Sequence, residues 1–564
     1  MYFISEHHIF LFLVQVFIIL LLARVSGEIF KKFNWPSLTA ELLVGIILGP
    51  TILGRFFPEI SSILFPDDIL QKNMLETIAW VGLFFLLLDT GLEIDFSSAL
   101  RQKGSVLVIA FADILIPMII AFVPTLFIGS SYLVDPSRKI EFSLFIATVM
   151  TISAMPVASR VMHDLNILKT DMGFLTISAL AVNDFTGWIL FTIILAIFTQ
   201  SGLSYAGIFM IFFVTFLFSV IALTFGRKAS NNIVDLFQKY KFPEPASSFT
   251  FACLSGFLCG AITQKLGIHG LFGFFVAGVM VGEAKNIKEN TRSIISQMVH
   301  SLFVPLFFVN IGLKIDFLKG FDFFIVLFMV LVGIFGRYIG AWLGALFVGI
   351  DKYERNLIAI AHTPGGMMEI VVALLAFEMN LITQPIFVAI VISAIFSSVI
   401  MGPWMSHSLK KMKDVNLLDY LDFNNCIDIL EKGEKEDILR KILLNVSEVV
   451  DINVNETLSV FLKREREFST GIGNNVSIPH IITDKVEKPV LSFALVKEGV
   501  EWNSPDGKDV NFIFLLISPE KNRELHLKIL SKIAIKMKDD SVRCNIFESE
   551  NLRELKKNLK KLFN

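Results

Sequence analysis

The sequence predicts a polytopic α-helical membrane domain followed by a soluble α/β domain, and three observations carry this prediction. The chain has 564 residues, of which 54% are hydrophobic, only 18% are charged and 56 are Phe. The last 156 residues hold 26 Lys or Arg and 26 Asp or Glu, whereas the first 408 hold 24 and 26. Long apolar stretches recur throughout those first 408 residues. Because a soluble chain carries about a quarter charged residues, one uniform globular enzyme is excluded.

The change in composition near residue 409 sets the predicted domain boundaries. We predict a transmembrane domain over residues 1–408, a linker over 409–419 and a cytoplasmic domain over 420–564. The net charge of −2 lacks the basic footprint that nucleic-acid binding requires, so no nucleic-acid partner is expected. The four Cys residues have neither metal nor disulfide spacing, which favours a reducing compartment for the tail.

Thirteen apolar stretches of the first domain are long enough to cross a membrane, since a spanning helix needs about 20 apolar residues. They are centred near residues 16, 45, 83, 116, 151, 186, 214, 255, 276, 306, 335, 366 and 393. The first stretch has neither a basic region nor a small-residue cleavage site, so we expect a retained span rather than a signal peptide.

Lys and Arg residues in the connecting loops predict the orientation of these spans. One set of alternate loops, from Arg24 to Lys413, holds 19 basic residues, and the opposite set, from Arg55 to Lys319, holds 7. Because basic loops remain on the cytoplasmic side, the N-terminus is predicted outside and the tail in the cytoplasm.

A short repeat relates two distant spans. Residues 91–96 have the sequence GLEIDF and residues 312–317 have GLKIDF. The first copy ends the third span, which runs inward, and the second ends the tenth span, which runs outward. Similar sequences with opposite directions are typical of inverted-topology transporter repeats. Two unrelated but similar amphipathic span ends are the alternative.

Helix-breaking residues interrupt the fifth and twelfth spans, at positions related by this repeat. The fifth span contains TISAMP at residues 151–156, and the twelfth contains HTPGG at residues 362–366. Broken helices present backbone carbonyls and half-helix ends near midplane, where transporters bind ions. A single Pro commonly produces only a kink, so the matched pair is what predicts an ion site.

Asp184 lies near the middle of the sixth span, where an ionisable residue is costly and is functional by default. Burial favours the protonated form of a carboxylate, so this group can hold either a proton or a monovalent cation, and their competition couples the two fluxes. Pairing with a buried cation is the alternative. The adjacent Asn183 can coordinate an ion or pack against a helix, but it cannot exchange a proton.

Arg337, Asp113 and Glu369 are further charged residues within the spans. Arg337 is in the middle of the eleventh span and Asp113 in the middle of the fourth. Shifting Asp113 by the repeat offset brings it within one helical turn of Arg337, so we expect a structural ion pair, although pairing of Arg337 with Asp184 also remains open. Glu369, just after the second break, is assigned neither to the ion site nor to a helix interface.

These motifs resemble the monovalent cation:proton antiporter superfamily, over about residues 10 to 405. The resemblance is carried by 35–54 (WPSLTAELLVGIILGPTILG), by 153–170 with the following LAVNDF, and by 363–373 (TPGGMMEIVVA). It implies two crossing broken helices, Asp184 as the Na⁺- or K⁺-binding and proton-carrying carboxylate, Thr151 as a ligand, and Arg337 as the basic residue of the core. It also implies a homodimer and no cofactor. Asn183–Asp184 is similar to the pair in electroneutral members, which predicts one cation per proton.

The tail resembles the fructose/nitrogen-type enzyme IIA domain of the bacterial sugar phosphotransferase system. Residues 470–480 (TGIGNNVSIPH) form a glycine-rich turn that leads to a His, and an accessible imidazole there suits phosphoryl chemistry. By this resemblance His480 is the phospho-acceptor, Arg464 contacts the phosphate, His526 lies beside the acceptor, and a phosphocarrier protein is the partner. Family members often have Gly where Asn475 stands. A degenerate domain that no longer accepts phosphate is the alternative.

Together these features predict an antiporter of the bacterial inner membrane, regulated by a cytoplasmic IIA-like domain, rather than an enzyme. Two other hypotheses remain. One is a proton-independent gated cation channel on the same fold, and the other is a phosphorelay protein whose membrane part senses ions. Obligatory coupling of cation flux to protons separates the first, and the effect of phosphorylation on transport separates the second.

Overall fold

The computed structural model describes most of the chain and divides it into two compact units. The described residues are 4–32, 35, 37–94, 104–165, 167–199, 205–284, 289–410, 416–520 and 523–563. The first unit, which we call the membrane unit, comprises Met1–Ala158, Leu175–Gly349 and Ile358–Trp404. The second, which we call the tail unit, comprises Ser159–Phe174, Ile350–Leu357 and Met405–Asn564.

Helices occupy or flank the centre of each of the thirteen predicted apolar stretches. Within the described residues, eleven helical segments are long and apolar enough to cross a membrane. The other two predicted spans are the shorter apolar helix Gly270–Gly282 and an interrupted pair of helices around residue 151. The helices up to residue 410 are Glu6–Lys32, Ser37–Leu48, Leu53–Phe56, Pro58–Leu64, Ile69–Glu93, Ser105–Thr125, Lys139–Val149, Met155–Asp164, Asp171–Thr199, Tyr205–Ile221, Arg227–Lys239, Ala246–Lys265, Gly270–Gly282, Glu289–Met298, Val304–Lys314, Phe323–Phe347, Lys352–Ala361, Gly366–Glu378 and Gln384–Lys410.

Side-chain caps begin two of the long spans at the residues where the apolar pattern starts. Asp322 accepts hydrogen bonds from the backbone N–H groups of Phe324 and Ile325 at 3.0 and 3.2 Å. Asp68 accepts one from Gln71 N–H at 2.8 Å. Each carboxylate satisfies N–H groups that have no partner within the first helical turn, so a polar residue sets the helix end.

Reciprocal glycine contacts support the inverted repeat. A Cβ on Gly312 would lie 2.6 Å from the Cα of Gly45, which places the tenth span directly against the second. A Cβ on Gly278 would lie 2.9 Å from the Cα of Gly91, which places the ninth span against the third. A pseudo-two-fold axis that exchanges the second span with the ninth and the third with the tenth converts one contact into the other, as inverted repeats require.

Some residues of the predicted repeat and some of the loop Lys and Arg residues that predict the orientation lie outside the described residues. This applies to Asp95 and Phe96 of the first GLEIDF copy and to residues 411–415 of the predicted linker. It also applies to Arg101, Lys103, Lys285, Lys288, Lys411 and Lys413, six of the basic loop residues.

The tail folds as an α/β domain around one mixed sheet, as predicted. Its strands are β1 (Ile427–Leu430), β2 (Gly471–Gly473), β3 (Val476–Ser477), β4 (His480–Thr483), β5 (Val490–Val500) and β6 (Val510–Pro519). The sheet order is β1-β5-β6-β3-β2, and β4 pairs with β6 in parallel. Its helices are Lys435–Ser447, Val454–Glu467, Arg523–Met537, Asp540–Phe547 and Leu552–Phe563. The first two contribute to one apolar core and the last three to another, and residues of the central strands enter both cores.

Candidate ion site and histidine site

Two interrupted helices meet at the centre of the membrane unit. The first break, residues 150–154, separates Lys139–Val149 from Met155–Asp164, and the second break, residues 362–365, separates Lys352–Ala361 from Gly366–Glu378. The N–H of Ala154 donates to the carbonyl of Pro364 at 2.7 Å, and Ser153 Oγ donates to the carbonyl of His362 at 2.9 Å. The two breaks are therefore in direct contact, which confirms the crossing predicted for them.

Asp184 is buried, and its carboxylate has no hydrogen-bond partner among the residues that the structure describes. The residue lies on the helix Asp171–Thr199, which we call the Asp184 helix, and its exposed fraction is 1%. Neither carboxylate oxygen accepts a hydrogen bond from any described residue. A buried charge without a partner is strongly disfavoured, so this carboxylate requires either a proton or a bound cation.

Asn183 joins the Asp184 helix to the first break and to the fourth span. Its Nδ2 donates to Asp113 Oδ2 at 2.8 Å, and its Oδ1 accepts from the N–H of Ser153 at a longer 3.4 Å. Ser153 Oγ lies 3.2 Å from the same Asp113 oxygen. The amide is therefore engaged in orienting the first break.

Thr151 belongs to the same network. Its hydroxyl donates to the carbonyl of Thr148 at 2.7 Å, and its own carbonyl lies 3.4 Å from Asn183 Nδ2. The structure thus brings Thr151, Asn183 and Asp113 together at the first break, next in sequence to Asp184.

Arg337 has a different partner from the one expected. Its Nη1 lies 3.3 Å from Glu369 Oε2 and donates to the carbonyl of Ile152 at 2.9 Å, and both charged side chains are fully buried. The expected ion pair with Asp113 is thus replaced by a pair with Glu369, which lies in the first turn of the helix after the second break. Asp113 instead contacts Asn183 and Ser153. Arg337 does not pair with Asp184 either, since the carboxylate oxygens of Asp184 accept no hydrogen bond from any described residue.

His362 is a buried polar residue that the sequence argument did not single out. Its Nδ1 lies 2.8 Å from the carbonyl of Ile358, and its Nε2 lies 4.0 Å from Asp113 Oδ2. Its position directly before TPGG in the second break could have identified His362 as a candidate site residue. Ser153, which lies within TISAMP in the first break, could have been identified in the same way.

In the tail, His480 begins β4 with its two ring nitrogens in defined roles. Nδ1 lies 2.7 Å from the carbonyl of Ile478, and Nε2 lies 2.7 Å from Nη2 of Arg464. A carbonyl only accepts and a guanidinium only donates, so the ring carries its proton on Nδ1 and a lone pair on Nε2. Burial, followed by the adjacent Arg464 charge, lowers the pKa of His480 to about 4. The ring is 2% exposed, so the expectation of an accessible His is wrong for this structure.

His526 lies beside His480, with 5.2 Å between the ring centroids. Its Nδ1 is 2.9 Å from Ser518 Oγ, whereas its buried Nε2 has no hydrogen-bond partner among the described residues. Burial and the neighbouring His480 ring hold the pKa of His526 well below its usual value. Both rings are therefore neutral near pH 7.

Arg464 connects this histidine pair to a carboxylate. Its Nη1 donates to Asp171 Oδ2 at 2.9 Å, and its Nη2 lies 2.5 Å from Asp171 Oδ1. Asp171, His480 and His526 each offer one ligand atom within 4.8 Å of the others, a set that could hold a metal ion. The guanidinium donates to the same Nε2 that would bind the metal, so the arrangement favours an anion rather than a cation.

The turn before His480 explains the departure at Asn475. Gly473, Asn474 and Asn475 have φ values of 84°, 54° and 61°. Gly adopts this left-handed region without strain and Asn tolerates it better than most residues. Asn475 therefore fits a position where members of the resembled family often have Gly.

Comparison with known proteins identifies a family for each of two parts of the chain. Residues 17–411 match the model of the sodium/hydrogen exchanger family, transmembrane. Residues 423–562 match the model of the phosphoenolpyruvate-dependent sugar phosphotransferase system, EIIA 2.

Individual relatives cover the membrane domain. The chain is 28% identical to Cation/H(+) antiporter 17 of Arabidopsis thaliana over 82% of its own length, although it covers only 57% of that relative. It is 27% identical to Na(+)/H(+) antiporter NhaS4 of Synechocystis sp. over 70% of its length and 96% of the relative. The sodium proton antiporter MjNhaP1 from Methanocaldococcus jannaschii shares the fold, with a TM-score of 0.52 at 18% identity over 72% of this chain and 98% of that one. Because the exchanger model matches well over half of it, this chain belongs to the sodium/hydrogen exchanger family, with an EIIA 2 domain following the membrane domain.

Proposed function

We propose that the protein exchanges a monovalent cation, Na⁺ or K⁺, for protons at Asp184. One observation carries the proposal: a carboxylate buried to 1% exposure, with no hydrogen-bond partner among the described residues, next to two crossed helix breaks. A site that must be neutralised by either a proton or a cation binds them in competition. Alternating exposure of such a site to the two sides of the membrane then exchanges one for the other.

The neighbouring charges support a one-for-one exchange. Arg337 and Glu369 form a buried pair and so neutralise each other. Asn183 occupies the position beside Asp184 and carries no charge in either form. Asp184 therefore moves one positive charge in each direction, which makes the exchange electroneutral.

Proton release from everted membrane vesicles tests this proposal. On addition of Na⁺ or K⁺, the wild type should release protons and Asp184→Asn should not, while Asp184→Glu keeps an ionisable group and retains part of the activity. Asp164→Asn, which neutralises an exposed acid outside the ion site, is the matched control. Full activity of Asp184→Asn would contradict the mechanism, and cation flux without proton coupling would favour a channel.

We further propose that the N-terminus is outside and that the tail lies on the cytoplasmic side of a bacterial inner membrane. The 19-to-7 distribution of loop Lys and Arg supports this orientation. The tail unit also includes Ser159–Phe174 and Ile350–Leu357, which belong to two loops predicted on the same side as the tail. Accessibility of single Cys residues to a membrane-impermeant thiol reagent tests the orientation.

Lipid and a second copy of the chain are the proposed neighbours of the membrane domain. The first helix exposes large apolar side chains, including Phe10, Leu13 and Phe17. These side chains suit either lipid tails or an apolar dimer interface. Cross-linking in native membranes distinguishes a homodimer from a monomer.

His480 is the proposed phospho-acceptor of the tail, and a phosphocarrier protein is the proposed donor. The lone pair on Nε2 forms the new N–P bond while the N–P bond of the donor phosphohistidine breaks, and the bonding pair returns to the donor ring. Each ring keeps the hydrogen on its other nitrogen, so the transfer balances. Arg464 would neutralise the phosphoryl oxygens. Nε2 of His526, which has no hydrogen-bond partner among the described residues, could donate a hydrogen bond to a phosphoryl oxygen.

Labelling with phosphoenolpyruvate and the general phosphocarriers tests this role. The wild type should incorporate phosphate in an acid-labile form, and His480→Gln should not. His407→Gln, which changes a His outside the tail domain, is the matched control. No labelling of the wild type would indicate a tail that no longer accepts phosphate.

A further inference from the structure

The carboxylate of Asp171 binds Arg464, the arginine that also contacts Nε2 of the proposed acceptor His480. Both oxygens of Asp171 contact Arg464, at 2.9 and 2.5 Å, and the same guanidinium lies 2.7 Å from His480 Nε2. Arg464 therefore donates hydrogen bonds to an acidic side chain, although a phosphoryl group on Nε2 of His480 would need the same N–H donors. All three residues lie within the tail unit.

Two neighbours of Asp171 in the sequence, Lys169 and Phe174, also contact the tail domain. Lys169 Nζ donates to the carbonyl of Gly471, in the glycine-rich turn before His480. The ring of Phe174 lies 5.4 Å from that of Phe468. The segment from Lys169 to Phe174 thus lies along the acceptor site, and its acidic residue contributes the ion pair.

Asp171 is also the first residue of the Asp184 helix, yet it is not the cap of that helix. Thr170 Oγ1 accepts a hydrogen bond from the N–H of Gly173 at 3.0 Å, so the helix start has its own cap. Asp184 follows thirteen residues later in the same continuous helix, about 20 Å along its axis. A contact at Asp171 therefore acts on the element that carries the ion-binding carboxylate.

We propose that Asp171 occupies the phosphoryl subsite of the unphosphorylated tail, and that phosphorylation of His480 displaces it and releases a restraint on the Asp184 helix. The inference rests on the acceptor and exchanger roles proposed above. A phosphoryl group brings about two negative charges and three acceptor oxygens to Arg464, whereas Asp171 brings one charge and is about half exposed. The phosphoryl group therefore takes the guanidinium and repels the carboxylate.

Transport is expected to rise when the contact is lost. Alternating access requires one helix bundle to move against the other, and an ion pair at the start of the Asp184 helix opposes that movement. A partly exposed ion pair of this kind is equivalent to about a two- to fivefold change in an equilibrium. The same factor limits the effect on exchange, because an effector cannot shift an equilibrium beyond its differential binding.

The test uses full-length protein in proteoliposomes and two phosphoryl donors. One donor is phosphoenolpyruvate with the general phosphocarriers, and the other is phosphoramidate, whose N–P bond breaks with loss of ammonia and which needs no protein contact. Asp171→Asn keeps the size of the side chain and removes its charge. Asp171→Glu restores the carboxylate, and Asp164→Asn makes the same change at an exposed acid that also lies in the Ser159–Phe174 part of the tail unit.

Asp171→Asn should be labelled about two- to fivefold faster than wild type by both donors. Without phosphate it should exchange cations as fast as phosphorylated wild type, and phosphorylation should add nothing more. Asp171→Glu and Asp164→Asn should behave as wild type. Equal labelling of Asp171→Asn and Asp164→Asn would overturn the inference, and faster labelling with unchanged exchange would overturn its regulatory half.

Failures of the earlier proposals give different results. Absence of labelling by either donor in every variant refutes the acceptor role of His480, on which the displacement depends. Absence of cation-driven proton release in every variant refutes the exchanger. Labelling by phosphoramidate but not by the phosphocarriers refutes only the proposed donor and leaves the comparison of Asp171→Asn with Asp164→Asn decisive.

Discussion

Removal of Glu369 should destabilise the protein much more than removal of its partner Arg337. Both side chains are fully buried, and Nη1 lies 3.3 Å from Oε2. Glu369→Leu leaves a buried guanidinium that cannot lose its proton, for which a cost of about 3–5 kcal/mol is expected. Arg337→Met leaves a carboxyl group that a proton can neutralise, so its cost should be smaller. The double variant leaves no buried charge in this pair and should lie within about 1–2 kcal/mol of wild type.

The free energy of unfolding in mixed detergent micelles, measured for all four proteins, completes a double-mutant cycle. The expected coupling is at least about 2 kcal/mol, because the stranded guanidinium disappears in the double variant. Proton release from vesicles made with the double variant then separates a structural pair from a transport role. A cost below about 1 kcal/mol for Glu369→Leu, or equal costs for the two single variants, would refute the reasoning.

Three further predictions follow from other parts of the structure. Asn183→Asp places a second carboxylate beside the first, so exchange should become sensitive to an imposed membrane potential, and a voltage-independent flux in proteoliposomes would contradict this. The lowered pKa of His480, about 4, leaves Nε2 unprotonated above about pH 5. Labelling by phosphoramidate should therefore stay constant from pH 8 to pH 5.5 and fall only as the pH approaches 4, whereas a fall centred near pH 6.5 would indicate an ordinary histidine. Gly312→Val should prevent folding, because even a Cβ would lie 2.2 Å from the backbone of Gly45. Gly349→Asn, at a positive φ with open space around it, is the control and should fold, as judged by size-exclusion chromatography.

Local sequence was sufficient to find the proposed ion-binding carboxylate and both breaks. Asp184 is an acid in the middle of an apolar span, and such an acid is conspicuous because lipid penalises charge whatever the fold. The breaks at residues 150–154 and 362–365 were predictable because Pro and Gly interrupt a helix by their own chemistry. The sequence also predicted that the two breaks are related, through the GLEIDF and GLKIDF copies.

The pairing of the core charges was not predictable in the same way. Applying the repeat offset to Asp113 led to position 334, near Arg337, yet Arg337 contacts Glu369 and the carbonyl of Ile152. A repeat offset locates a residue along a helix axis but does not specify the direction of its side chain. Asp113 Oδ2 contacts Asn183 Nδ2 and Ser153 Oγ instead of Arg337. These contacts form only when the fourth span, the first break and the Asp184 helix are assembled.

The tail shows the same division. Its fold class followed from an amphipathic helix and a buried-strand pattern, because side-chain period acts over a few residues. The proposed acceptor role of His480 followed from the resemblance of residues 470–480 to the enzyme IIA domain. The tautomer of His480 depends on a carbonyl two residues before it and on an arginine sixteen residues before it.

The amino-acid order alone determined which segments are apolar enough to enter the membrane, where the helices break and which carboxylate lies in the middle of an apolar span. Each of these depends on transfer free energies and backbone chemistry that act locally along the chain. The contacts of Arg337 with Glu369 and of Arg464 with Asp171 join residues 32 and 293 positions apart. Their partners were settled by the folded chain, because a charged side chain selects among the groups within a few ångströms and sequence distance does not report that neighbourhood.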